Sequence, residues 1–111
     1  MKNKICHITT VHHAKDTRIF QKECVSLAKH GFETHLIVAN QKSEIDQGVQ
    51  IHNIISTTSG RLQRMRKTTQ IALKKALEID ADIYHFHDPE LLPVGLKLKK
   101  LGKKVIYDTH E

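Results

Sequence analysis

His35-Leu36-Ile37-Val38-Ala39 is a nearly continuous apolar run. A strand buried on one face would alternate polar and apolar residues; a run without alternation predicts a strand covered on both faces, as in a parallel sheet. Upstream, residues 4–9 form a short β-rich segment read as the first strand. Between the two, Phe20, Cys24, Leu27 and Ala28 fall on one face of a helix that opens near Asp16 or Thr17 and stops at Gly31. Downstream, residues 40–48 are polar and are expected to form a loop, and 49–55 form a third, less buried strand. Residues 56–60 are read as a turn. The stretch 61–79 predicts a basic amphipathic helix with Leu62, Met65, Ala72, Ala76 and Ile79 near one face. Residues 82–87 then predict a fourth strand, 91–101 a helix stopped by Gly102, and 103–107 a fifth strand. Pro93 fits only the first turn of that last helix, because deeper it removes a hydrogen bond. Strands separated by helices imply crossovers and a parallel sheet. The expected fold class is therefore α/β: a doubly wound, Rossmann-like parallel sheet of about five strands in the order 3-2-1-4-5.

The chain has 111 residues, enough for one small domain. It carries 18 Lys and Arg against 12 Asp and Glu, a net +6, which suggests an anionic partner: nucleotide, lipid head group, acidic glycan or nucleic acid. Aromatic content is 5% with no Trp and no RNP-like or helix-turn-helix signature, so no nucleic-acid partner is expected. No run approaches the length of a membrane span, and the first apolar stretch is too short for a signal peptide. The expected location is cytoplasmic. Cys6 and Cys24 sit in apolar patterns without metal spacing and are expected as buried, unpaired thiols. The segment after the first strand has no glycine, which argues against a dinucleotide fingerprint, and there is no P-loop or nucleophile elbow.

Polar residues concentrate at strand ends. His12, His13, Asp16 and Arg18 follow the first strand; His85, His87 and Asp88 close the fourth; Asp108, His110 and Glu111 close the fifth. A parallel arrangement puts all three groups on the edge where α/β sheets bind ligands. Each has a plainer reading. Asp88 before Pro89 suits a helix N-cap, Arg18 and Lys22 suit a solvated helical face, and His85, between Tyr84 and Phe86, suits a satisfied core histidine. His7, His30, His35 and His52 are read as structural or solvated. The basic helix suits either a membrane surface or an ordinary solvated face.

Three stretches carry a specific resemblance. His13-Ala14-Lys15-Asp16-Thr17-Arg18-Ile19-Phe20-Gln21-Lys22-Glu23, with the apolar pattern from Ser26 to Ala39 behind it, resembles the opening of many bacterial family 4 glycosyltransferases. His85-Phe86-His87-Asp88-Pro89-Glu90-Leu91-Leu92 and Val105-Ile106-Tyr107-Asp108-Thr109-His110-Glu111 resemble two further segments of that family, in order and at the right spacing. The resemblance covers essentially the whole chain. It implies the GT-B fold, two Rossmann-like domains facing across a cleft, with residues 1–111 as a partial, acceptor-side N-terminal domain. The nucleotide-sugar contacts would lie mainly in a C-terminal domain beyond these residues, and a chain ending at the fifth strand is expected to continue into a helix that covers it.

The implied activity is transfer of a sugar, with retention, from a nucleotide-diphosphate sugar to a glycan or lipid-linked acceptor, with no metal and no other cofactor. His110 corresponds to a catalytic histidine near the donor sugar. His87, Asp88 and Glu90 correspond to a segment lining the cleft, and His13, Asp16 and Arg18 to acceptor or phosphate contacts, with Glu111 also at the site. Peripheral contact with the anionic inner face of a membrane is a separate expectation, resting on the basic helix at 61–79. The missing Gly-Gly loop after the first strand departs from the wider superfamily and leaves its donor contacts open. Two alternatives stand beside it: a metal-dependent hydrolase using His85, His87, Asp108 and His110, and a non-catalytic nucleotide- or glycan-binding module.

Overall fold

The run around Ile37 lies in the middle of a sheet. A computed structural model describes residues 3–9, 22–39, 41–54, 61–87 and 91–107, without the side chains of 61–65. Its elements, in chain order, are β1 (Lys4–Ile8), α1 (Val25–Lys29), β2 (Glu33–Ala39), β3 (Glu44–Asp46), β4 (Val49–Ile54), α2 (Arg61–Ile79), β5 (Ile83–Phe86), α3 (Leu92–Lys100) and β6 (Lys104–Tyr107). The class is α/β, and the arrangement is compatible with a Rossmann-like fold.

One added edge strand changes the expected number and order; the five expected strands appear as β4, β2, β1, β5 and β6. Among the described residues the sheet has six strands, not five, in the order β3-β4-β2-β1-β5-β6. It is mixed: β3 pairs with β4 antiparallel, while β4, β2, β1, β5 and β6 run parallel. The added strand comes from the stretch expected to be loop. Asp46 stands opposite Val49, so Gln47 and Gly48 alone make the turn, with φ of 51° and 84°. Two consecutive positive φ values match the right-handed twist of a hairpin and fold the polar stretch back onto β4. Glycine at 48 serves a second need, since a Cβ there would lie 3.2 Å from the Cβ of Ala28. A short polar edge strand with Ile45 exposed is a pattern that periodicity does not reveal.

Alternation along the strands sorts the core into two layers. Cys6, Ile8, Ile37, Ile54, Tyr84 and Phe86 meet Ala72, Ala76 and Ile79 of α2 and Val94 and Leu98 of α3. On the other face Leu36, Val38, Val49 and Ile51 meet Cys24, Val25 and Ala28. Helices therefore cover both faces, which is why β2 reads as apolar without alternation from Leu36 to Ala39. Each fully buried large apolar side chain contributes about 1.5–3 kcal/mol. The helix at 61–79 has the expected bounds, and its Ala72, Ala76 and Ile79 are buried as expected. The expected helix from Asp16 is seen only in part: residues 22–24 are π-helical and lead into α1, and what precedes residue 22 lies outside the described residues. Cys6 and Cys24 are buried and unpaired. No described helix is long and apolar enough to cross a membrane.

Candidate functional site

The α1 face of the sheet is apolar over β2 and β4 and changes character over β1 and β5. Alternation from Ile5 puts His7 on this face, and alternation from Ile83 puts His85 there and His87 beyond it. His7 stands beside His85 in the parallel register. Three imidazoles are thus close together, His87 stacked on both others and His7 tilted against His85. Ring centroids are 4.7 Å apart for His7 and His85, 5.1 Å for His7 and His87, and 4.4 Å for His85 and His87. Glu23, from the π-helical stretch entering α1, brings its Oε1 to 3.8 Å from Nδ1 of His85. Potential ligand atoms of His7, Glu23, His85 and His87 all lie within 4.8 Å of one another.

His7 and His87 share a buried hydrogen bond, Nδ1 to Nε2, of 2.8 Å. One ring donates and the other accepts, so at least one acceptor nitrogen is unprotonated. Nε2 of His7 is buried and meets no hydrogen-bond partner among the described residues. Burial, and then the neighbouring His85 and His87, hold the His7 imidazole well below its ordinary range and keep it neutral. The cluster forms one wall of a pocket of about 320 Å³ lined by His7, Glu23 and His85, by Lys22, Ser26 and Leu27, and by Ile5, Ile83 and Ile106. Ile106 is 49% exposed there, since no described helix covers β6 on this face. A carboxylate, two imidazoles and one lysine around an apolar floor can take a cation or exchange a proton.

Of the expected site residues only His87 is among the described residues. It is 1% exposed and bonded to His7, buried behind the pocket and absent from its lining. His13, Asp16, Arg18, Asp88, Glu90, His110 and Glu111 lie outside the described residues. Their points of attachment are described: Ile8, Phe86 and Tyr107 stand in register on three adjacent parallel strands, so the chain leaves β1, β5 and β6 at one edge. His85, read as a core histidine, is half-buried and lines the pocket. His7 and Glu23 carried no functional expectation, yet they complete the cluster. The available signal was the Ile5, His7, Thr9 alternation, which marks a polar stripe on an otherwise apolar strand. A second row lies on the opposite face: His35 pairs through Nδ1 with His52 and through Nε2 with Glu33, each at 2.8 Å.

No family model matches the chain, and no curated protein matches it.

Proposed function

We propose that this chain is the acceptor-side, Rossmann-like half of a retaining GT-B glycosyltransferase that moves a sugar from a nucleotide-diphosphate sugar to a glycan or lipid-linked acceptor. The observation that carries the proposal is the register of Ile8, Phe86 and Tyr107. It means that the three stretches resembling family 4 glycosyltransferases leave the sheet from one edge, where α/β sheets bind ligands. The α/β sheet with helices on both faces supports the same reading.

In this reading His110 acts at the donor sugar, Asp16 and Arg18 contact acceptor or phosphate, and Asp88 and Glu90 line the cleft. The donor site belongs to a second domain, so the 111-residue chain alone is expected to transfer no sugar. The test is transfer by the parent enzyme from a panel of nucleotide-diphosphate sugars. Replacing a group that stabilises charge in the transition state costs on the order of 10²–10³ in rate, so His110→Ala is expected to lose that much kcat without losing its thermal midpoint. Full activity in the variant removes His110 from the mechanism. A parent without a second Rossmann-like domain removes the proposal.

A further inference from the structure

The imidazole cluster belongs to none of the residues that sugar transfer would use, apart from His87. We propose that His7, Glu23 and His85 bind one divalent transition-metal ion of the zinc class, with His87 as a positioning residue that fixes the tautomer of His7. This inference does not depend on the glycosyltransferase reading.

The division of roles follows from the pocket and the hydrogen bond. His7, Glu23 and His85 all line the pocket, and His87 does not. His87 instead sits behind His7, with its Nε2 2.8 Å from Nδ1 of His7. When His7 donates from Nδ1, its buried Nε2 carries a lone pair and no hydrogen. That arrangement also avoids a buried N–H with no acceptor, the rarer and costlier kind of orphan. A metal-binding imidazole commonly donates its second nitrogen to a neighbour in this way. Nε2 of His7, buried and without a hydrogen-bond partner among the described residues, is thus an atom a metal would take.

Ligand chemistry narrows the ion. Two imidazoles and one carboxylate suit zinc, cobalt or nickel, whereas calcium and magnesium prefer oxygen alone. Zinc bonds of about 2.0–2.1 Å place tetrahedral ligand atoms about 3.4 Å apart. The 3.8 Å from Glu23 Oε1 to His85 Nδ1 is near that already. The ligand atoms of the whole group lie within 4.8 Å of one another, so binding needs the side chains to draw together by about an ångström. Three protein ligands leave a fourth position facing the pocket, open to water or a small anion. The ion would tie β1 and β5 to the start of α1.

The experiment titrates the full chain, stripped with a chelator, with zinc and cobalt, read by calorimetry and by competition with a chromophoric chelator. One equivalent is expected to bind, with a rise in thermal midpoint. Glu23→Gln and His85→Gln, each checked for native circular dichroism, are expected to weaken binding tenfold or more. His87→Leu is expected to weaken it about 10- to 100-fold, the range typical of residues that orient ligands. His87→Gln, which keeps an acceptor for His7, is expected to restore it. The double variant His35→Gln/His52→Gln on the opposite face is expected to bind as the parent does. The proposal is overturned by absence of binding in the unaltered chain, by equal affinity in Glu23→Gln and His85→Gln, or by loss of binding only in the His35/His52 variant.

Discussion

Tyr84 shows how one hydroxyl joins two elements. It donates to the carbonyl of Ala76 at 2.6 Å and accepts from the amide of Ala81 at 2.9 Å, so the end of α2 is fastened to β5. Its ring is fully buried, and burial above all pushes its pKa up to about 12, keeping the phenol protonated. Removing the hydroxyl leaves the Ala81 N–H buried without an acceptor, a loss of about 1–3 kcal/mol. Tyr84→Phe is expected to show that loss in urea unfolding at neutral pH. A change under about 0.5 kcal/mol would mean that the amide finds another partner. At this scale identity was legible and partnership was not. Tyr84 was expected in a strand, but an acceptor eight residues back depends on where α2 ends. His7 is the same case: its neighbour His85 is 78 positions away in the chain and adjacent only through the register.

Helix ends were legible because the signals are local. After α3, Gly102 adopts φ of +87°, its N–H bonds Lys99, and the N–H of Lys103 bonds Leu98. These are the two bonds of a Schellman stop. A Cβ at 102 would meet nothing within 4 Å. Gly102→Ala therefore isolates backbone strain and is expected to cost about 1–2 kcal/mol in denaturant unfolding. Pro93 lies in the first turn of α3, where it was expected. On α2, Arg66, Lys67 and Lys74 are exposed, and the apolar Ile71 and Leu77 are exposed among them. Such a face suits an anionic bilayer surface, where each cation adds about 1 kcal/mol. Replacing these three cations with Gln is expected to weaken co-sedimentation with phosphatidylserine vesicles by on the order of a hundredfold. Unchanged sedimentation would leave the face merely solvated. The π-helical turn at 22–24 was not legible, since Cys24, Leu27 and Ala28 fit an ordinary helical period.

For the whole molecule, acid is expected to loosen the fold below neutral pH. His52 is held down to about 4 from an ordinary 6.5, chiefly by burial and then by His35 and Lys75. The folded value is the lower one, so the unfolded chain takes up the proton first. The stability this group supports is whole above about pH 6.5 and is lost progressively toward about pH 4. Glu33 is lowered by its hydrogen bond to His35, with Lys4 nearby, and adds a further loss below its ordinary 4.5. Thermal melts in chelator at pH 7.5 and pH 5 are expected to show a lower midpoint at pH 5, and His52→Gln is expected to shrink the gap. An equal gap in the variant would exclude His52 as its source.

The sequence by itself determined the α/β class, the alternation of elements and the ends of α2 and α3, because hydrophobic period, proline and glycine act over a few residues. Only the tertiary structure decided the antiparallel edge strand β3, whose pairing rests on a two-residue turn, and the cluster of His7, Glu23, His85 and His87. Those four come together through strand register and the path of α1 over the sheet. The cluster depends on contacts between residues distant in the chain, which local pattern does not encode; β3 pairs with near neighbours, but through positive φ at Gln47 and Gly48 that a polar stretch does not announce.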